Sequence, residues 1–190
     1  MLFWIIIAVA VAVALYAIVI FNRLVRLRQM ANEAWSGIDV QLKRRSDLVP
    51  NLVEAVKGYA AHERSVLDEV TALRGAARAV PESDVAGRAE AENDLSAGIG
   101  KLIALAEAYP DLKASGNFLD LQKQLSALED DLQMARRYYN GAARDLNVEV
   151  QSFPSSVIAG LGGFAARDFF ELTDTAERNA PQVQFNAAPT

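Results

Sequence analysis

The sequence predicts an all-α protein: a single N-terminal transmembrane helix that continues into an antiparallel helical bundle of three to four long helices, with short C-terminal helical turns. Three observations carry this prediction. The twenty residues from Leu2 to Phe21 contain no charged residue, amide or proline. Apolar residues then recur at steps of three and four, which is the period of an amphipathic helix. No stretch before residue 150 alternates as a β-strand does.

The first stretch is predicted to be a membrane anchor over residues 1–22. Twenty helical residues rise about 30 Å, which matches the hydrocarbon thickness of a bilayer. A cleaved secretory signal has a basic start, a shorter apolar core and a small-residue cleavage site. Here Met1 precedes the run without a basic residue, and Arg23 follows it closely. These features favour a retained anchor.

Charge predicts which side of the membrane the body occupies. Residues 23–45 carry six basic and two acidic side chains, whereas residues 46–190 carry thirteen basic and twenty-two acidic ones. Basic flanks stay in the cytoplasm, so we expect the N-terminus outside and the bundle in the cytoplasm. Arg23, Arg26 and Arg28 are expected to contact anionic lipid head groups. The acidic body argues against a nucleic-acid partner.

The anchor is predicted to run on into the first helix of the body, a bundle domain expected over residues 23–172. The apolar positions continue in helical phase from Leu24 to Leu42. At Pro50, which lacks an N–H and disfavours helix at Val49, the pattern favours a turn. A kink within one long helix remains the alternative, because the apolar phase persists as far as Val56.

Two further helices are predicted over residues 51–80 and 85–108, joined by a turn and helix cap at residues 81–84. Residues 111–116 are expected to form a loop, with Asn117 capping the fourth helix. That helix has the most regular apolar period, which is typical of helices that pack at small crossing angles. Its positions are Phe118, Leu121, Leu125, Leu128, Leu132, Ala135, Tyr139, Ala142 and Leu146. Long helices joined by short turns predict an antiparallel bundle.

After Gln151 the regular helical pattern ends, and proline and glycine residues become frequent. We predict a short helix capped by Ser155 or Ser156 that ends near Leu161, then a glycine turn and another turn at residues 167–172. Four phenylalanines are expected to close one end of the bundle, namely Phe153, Phe164, Phe169 and Phe170. Residues 173–190 are expected to be loosely ordered, with residues 181–185 extended.

Histidine and cysteine usage excludes several kinds of active site. The chain has one histidine, His62, and no cysteine. Di-iron bundles need two Glu-x-x-His pairs. His62-Glu63 would be half of a zinc-protease helix motif, but the position for the second histidine is Val66. We therefore predict no metal, no cofactor and no catalytic residue, and interpret His62 as an ordinary surface histidine.

Glu63 is the most unusual polar residue because it falls on the apolar stripe of the predicted second helix. A buried unpaired carboxylate costs several kcal/mol, so we expect it to pair with Arg136 or Arg137. A polar layer that fixes helix register, or a small binding site, remains open. Tyr138 and Tyr139 are interpreted as core residues. The other candidate interaction positions are Arg44, Arg45, Asn51, Tyr59 and Asn140, the last by bonding across the bundle.

The order of motifs resembles the LemA family of bacterial membrane proteins. The longest matching stretch is W-S-G-I-D-V-Q-L-K-R-R-S-D-L-V-P-N-L-V-E-A-V-K-G-Y-A-A-H-E at 35–63. The shorter ones are F-N-R-L-V at 21–25, E-A-Y-P-D-L-K-A at 107–114, F-L-D-L-Q-K-Q-L-S-A-L-E at 118–129, R-R-Y-Y-N at 136–140, S-F-P-S-S at 152–156, G-F at 163–164 and F-F-E at 169–171. The clearest departure is Leu146, where the family pattern has Tyr.

The resemblance implies a single-pass membrane protein with an outside N-terminus and a cytoplasmic helical bundle. A similar protein serves in building magnetosome membranes, and family members often neighbour membrane proteases or membrane-anchored partners. No catalytic residues are assigned to the family, so the resemblance supplies none here.

The sequence therefore predicts a non-enzymatic scaffold or adaptor that organises membrane-associated partner proteins. Self-association is also possible, since Ala8/Ala12 and Ala10/Ala14 give the small-residue spacing of packed transmembrane helices. Two alternatives remain. One is a ligand-binding or hydrolytic protein that uses Glu63 with His62, Asp39 and Arg44 or Arg45. The other is a membrane-shaping protein.

Overall fold

The computed structural model describes residues 1–60 and 62–171, and within these residues the regular structure is entirely helical. The helices are α1 (Leu2–Lys57), α2 (Arg64–Ala79), α3 (Val85–Glu107), α4 (Pro110–Lys113), α5 (Gly116–Gln151) and α6 (Ser155–Leu161). The predicted all-α class is confirmed. The expectations for residues 173–190 fall outside the described residues.

Helix α1 joins the apolar segment to the bundle without a break. Its 56 residues correspond to a rod of about 80 Å, so the prediction that the anchor runs on into the body is confirmed. Up to Val19 its side chains are almost all exposed, and this part is long and apolar enough to cross a membrane. From Ile20 onward one face is buried in the bundle. The change from an all-apolar to an amphipathic helix thus occurs at Ile20.

Pro50 lies inside α1, so the favoured prediction of a turn there is wrong. A proline has no N–H to donate, which leaves the carbonyl four residues earlier without its helical partner. That carbonyl belongs to Ser46, and the Nε of Arg74 on α2 donates to it at 2.6 Å. Val49 and Leu52 on either side of Pro50 are buried. The helix continues because another helix satisfies the freed carbonyl and covers the same face.

Arg74→Met is expected to destabilise the bundle by about 1.5–3 kcal/mol, because a hydrogen bond from a charged donor to a half-buried carbonyl is lost. In a Pro50→Ala background residue 50 regains its N–H, so the same substitution should cost about 1 kcal/mol less. Denaturant unfolding of the four proteins of this double-mutant cycle measures the coupling. Arg78→Met, at an exposed position one turn further along α2, is the control. Equal costs of Arg74→Met in both backgrounds would contradict this account.

The chain reverses direction between the end of α1 at Lys57 and the start of α2 at Arg64, not at Pro50. The single helix predicted over residues 51–80 is therefore wrong in its first part, since α1 ends at Lys57 and α2 begins at Arg64. Gly58 follows the last residue of α1 and, as a poor helix former, favours the end of a helix there. Helix α2 then packs back along α1 and against α3.

The later helices follow the sequence pattern closely. Helix α3 has the predicted bounds within one residue, and the carboxylate of Asp84 caps it by accepting from the N–H of Gly87 at 2.9 Å. The residue preceding α5 is Ser115, so the prediction of Asn117 as the cap is wrong, and part of the expected loop forms α4. The apolar positions of α5 are buried or half-buried, as predicted.

Helices α1 and α5 form the antiparallel axis of the bundle. Arg23 pairs with Glu149, the Trp35 ring lies 5.2 Å from that of Tyr139, and Arg45 pairs with Glu129. From one contact to the next, the residue number in α1 thus increases by nearly as much as the residue number in α5 decreases. This register places the C-terminal end of α5 beside the point where α1 leaves its apolar segment.

The chain beyond α5 packs back onto this axis. Helix α6 ends at Leu161, as predicted, and residues 164–171 follow without regular structure, so the turn expected from Arg167 is absent as far as residue 171. Phe164 and Phe170 are buried, but Phe153 and Phe169 are exposed, so only half of the predicted phenylalanine cluster closes the bundle.

Candidate functional site

The core of the bundle consists of two apolar regions. The membrane-proximal core joins α1 from Ile20 to Leu42 with the second half of α5, the start of α3, α6 and the 164–171 segment. The distal core joins α1 from Val49 to Val56 with α2, most of α3, α4 and the first half of α5. Between them lies a set of polar side chains, which we call the Arg45 cluster. Its members are Asp39, Arg45, Arg88, Glu92, Ser96 and Glu129.

Arg45 is the centre of this cluster and is only 2% exposed. Its Nη2 lies 2.6 Å from Oε1 of Glu129 on α5 and donates to the Ser96 hydroxyl on α3. Its Nη1 lies 3.4 Å from Oε2 of Glu92 on α3 and donates to the Glu92 backbone carbonyl. One guanidinium therefore connects three helices.

Arg88 on α3 extends the cluster back to α1. Its Nη2 donates to Oδ1 of Asp39 at 3.0 Å, and its Nη1 donates to the backbone carbonyl of Val80 at 3.2 Å. Its Nε lies 3.9 Å from Oε1 of Glu92. Glu92 is thus placed between two guanidinium groups.

Burial and charge act on Glu92 in opposite directions. Burial raises the pKa of the Glu92 carboxyl above its ordinary value, and the nearby guanidinium groups of Arg45 and Arg88 oppose that rise. Buried ion pairs gain little net stability over well-packed apolar residues, but removing one partner is strongly unfavourable. The arrangement can therefore fix the relative positions of α1, α3 and α5, because other registers leave these charges buried without partners.

Stability should depend on pH through Glu92. A carboxyl with a raised pKa binds more protons in the folded than in the unfolded state. Its contribution to the free energy of unfolding is therefore greatest below its ordinary pKa of 4.5 and is lost as pH rises through the pKa of the folded state. Consequently the stability of the parent protein relative to Glu92→Gln should fall as pH rises through this window. Denaturant unfolding of both proteins across a pH series measures the difference. Glu90→Gln, at an exposed position on the same helix, should show no such trend, and a difference that increases with pH would contradict the assignment.

Arg45 was a candidate from the sequence, but Glu92, Glu129, Ser96 and Arg88 were not. A usable signal was present. Arg45 fills the position between Leu42 and Val49 on the buried face of α1, and Glu92 fills the equivalent gap between Ala89 and Leu95 on α3. Opposite charges at gaps in two apolar stripes predict a buried pair. The signal is easily missed because Glu90 and Asp94 flank Glu92, and such a group of acidic residues is typical of a solvated surface.

Two other candidates line an open groove between α1 and α5. Arg44 and Asn51 are exposed and border a groove of about 510 Å³. The other lining residues are Gln41, Asp47, Leu48, Gln124, Ala127, Leu128 and Asp131. The groove walls combine amide, carboxylate and guanidinium groups with a leucine floor. The groove is open to solvent and does not enclose a small molecule.

The residues around Glu63 do not assemble a site. Glu63 precedes the first residue of α2 and is half-buried, while Tyr59 and His62 are exposed in the same connection. Within the described residues Glu63 makes no ion pair with Arg136 or Arg137, so that expected pairing is wrong. The reason is the end of α1 at Lys57, which removes Glu63 from the helical stripe. Of the other members of the hydrolytic alternative, Asp39 and Arg45 belong to the Arg45 cluster, and Arg44 lines the groove between α1 and α5.

Asn140 bonds across the bundle, as expected, and its partner is the 164–171 segment. Its side chain donates to the Phe170 carbonyl at 3.2 Å and accepts from the Phe170 N–H at 2.9 Å. Asn147 makes the same pair of bonds with Arg167, and the Tyr139 hydroxyl donates to the Asp168 carbonyl. Tyr139 is buried as predicted, but Tyr138 is exposed, which corrects its assignment to the core.

The arginines after the anchor are partly occupied by contacts within the protein. Arg23 lies 3.1 Å from the Glu149 carboxylate, and the Arg28 guanidinium lies 4.7 Å from the centre of the Phe164 ring. Arg26 is exposed. Within residues 1–60 and 62–171, no group of three or more His, Cys, Asp or Glu side chains is placed to hold a metal ion.

Comparison with known proteins identifies relatives of the bundle. The sequence model of the LemA family matches residues 34–185. Magnetosome proteins MamQ 1 and MamQ 2 of Paramagnetospirillum magneticum are each 24% identical over 175 residues, which cover 80% of this chain and 64% of the relative. Protein LemA of Metamycoplasma hominis is 28% identical over 138 residues, which cover 73% of this chain and 63% of the relative. The chain therefore spans somewhat less than two thirds of the length of these relatives.

Proposed function

The chain belongs to the LemA family, and from this premise we propose that it is a membrane-anchored helical scaffold or adaptor that holds partner proteins at the bacterial inner membrane without catalysing a reaction. The observation that carries the proposal is the continuity of α1. One helix passes from an apolar segment able to span a bilayer, through both cores, to the end of the bundle. A protein bound to the body is thereby connected to the membrane through one continuous helix.

The polar residues of the bundle support a structural rather than a catalytic role. Arg45 and Glu92 are buried between the two cores, and the charges of the cluster pair with one another, including the partly exposed carboxylates of Asp39 and Glu129. Catalysis of hydrolysis needs a polar group within reach of a bound substrate. Arg44 and Asn51 line a groove on the surface of the bundle. We propose that partner proteins bind at this groove.

Orientation forms part of the proposal. The basic residues that follow the apolar segment favour an outside N-terminus and a cytoplasmic bundle. Arg26 and Arg23 are exposed, and we expect them to contact anionic head groups. Self-association through the alanine face of the anchor remains a further prediction.

Site-specific photocrosslinking in native membranes tests the proposal. A photoreactive amino acid at Asn51 or Gln124, on the two walls of the groove, should yield discrete adducts with other proteins. The same residue at Glu82, in the exposed turn before α3, is the matched control. Discrete adducts at the groove and few at Glu82 are expected. An absence of protein adducts at both groove positions would count against the scaffold assignment.

A further inference from the structure

A second apolar surface lies beside the anchor. Phe153 precedes α6, and Val157 and Leu161 lie four residues apart on it, so these two share one helical face. Their exposed fractions are 85%, 54% and 84% respectively. We call these three residues the α6 face. The opposite side of α6 packs into the membrane-proximal core through Ala159.

The sequence around this face is unlike the rest of the body. The seventeen residues from Val150 to Ala166 contain no charged side chain, although 23% of the chain is charged. An exposed apolar face in an uncharged segment is unfavourable in water and marks a contact surface. The burial of Ser155 and Ala159 fixes which side of α6 remains outward.

The contacts of α5 and the 164–171 segment place this face at a definite level along α1. Glu149 pairs with Arg23, and the Phe164 ring lies 5.5 Å from that of Phe21. Phe21 is the last residue of the apolar run, and Arg23 is the first basic residue after it. Residues on both sides of α6 along the chain therefore contact α1 where the apolar run ends.

The antiparallel register extends this placement. Because α1 and α5 positions change in opposite directions at nearly equal steps, α5 ends at Gln151 at the level of Phe21 to Arg23. Ile20 is already buried in the bundle. The α6 face thus stands at the membrane-facing end of the body, below the level of Arg23, Arg26 and Arg28.

We propose that the α6 face inserts into the interfacial region of the same bilayer that α1 spans, which gives the body a second membrane contact beside its anchor. The occupant is lipid because the face lies at the level along α1 where its apolar segment ends. Apolar side chains at this depth lie at the boundary between head groups and acyl chains. The arginines one to two turns above would lie among the head groups. Two contacts restrict tilting of the body, whereas one helix alone leaves tilt free.

This inference depends on α1 spanning the membrane but not on the scaffold role, and the chain is well suited to test it because it has no cysteine. Full-length single-cysteine variants at Phe153, Val157 and Leu161 are labelled with an environment-sensitive fluorophore and reconstituted into nanodiscs with or without nitroxide-bearing lipids. Val9→Cys, within the apolar segment, reports whether α1 lies in the bilayer. Met134→Cys, at an exposed apolar position on α5, is the aqueous control, about 25 Å further from the membrane along the bundle.

Quenching by the nitroxide lipids at Phe153, Val157 and Leu161 should approach that at Val9 and exceed that at Met134 several-fold. Quenching at Val9 alone, with the three labels as open to water-soluble quenchers as Met134, would overturn the inference and leave the anchor intact. Labels shielded from both water and lipid would also overturn it, because protein, either a second copy or the chain after residue 171, would then cover the face.

Discussion

Replacing Arg45 with methionine is expected to destabilise the folded bundle by about 3–5 kcal/mol, because Glu92 would be left buried beside an apolar side chain. Methionine has a similar length and packs in irregular spaces, so little of this cost should come from lost volume. Denaturant unfolding of detergent-solubilised protein measures the change. The expected loss is a large fraction of the stability of a typical domain.

Two variants separate the charge effect from general damage. Arg44→Met alters the neighbouring exposed arginine and should change stability by no more than about 0.5 kcal/mol. Arg45→Met combined with Glu92→Met replaces both buried charges and should recover most of the loss, since apolar pairs often substitute well for buried ion pairs. If Arg45→Met costs no more than Arg44→Met, the Arg45 cluster does not fix the helices.

Replacing Phe170 with alanine is expected to cost about 3–5 kcal/mol, the usual loss for a fully buried phenylalanine. Phe170 has no exposed surface, and its ring centre lies 5.6 Å from that of Trp35. Its backbone is also bonded to the Asn140 side chain. Loss of the ring should therefore release the 164–171 segment from α1 and α5 as well as lower the free energy of unfolding.

Denaturant unfolding and the emission of Trp35 report these two effects. Trp4 is the other tryptophan, so the experiment uses a Trp4→Phe background. Trp35 emission should shift to longer wavelength in Phe170→Ala as water reaches the indole. Phe169→Ala, at the exposed neighbouring position, should leave emission unchanged and cost less than about 1 kcal/mol. Similar effects of both substitutions would argue against a specific role for Phe170 in holding the segment.

The elements that could be predicted are those whose signals are local. The three- and four-residue period of α5 and the Asp84 cap of α3 each depend on residues a few positions apart, and both helices form as predicted. The transition from anchor to body was also predictable, because the apolar run of α1 gives way to an amphipathic period without an intervening helix breaker before Pro50 other than Gly37.

The errors arise where a distant residue decides the local structure. Pro50 favours a turn on local grounds, but the carbonyl that it frees on Ser46 is satisfied by Arg74, twenty-eight positions away. Conversely, Glu63 fits the stripe of a long helix, yet that helix has already ended at Lys57. The Arg45 cluster needs three helices to meet, and only paired gaps in two apolar stripes indicate it beforehand. The candidate interaction residues remain predictions.

The continuity of α1 from bilayer to bundle is the central claim, and a distance measured between spin labels tests it most directly. Labels at Val13→Cys and Val40→Cys occupy exposed positions on either side of the point where the bundle begins. One unbroken helix places them about 40 Å apart. The full-length protein in nanodiscs should give a narrow distance distribution at that value. A broad distribution, or a main distance well below it, would show that the anchor and the body are joined flexibly and would contradict the account.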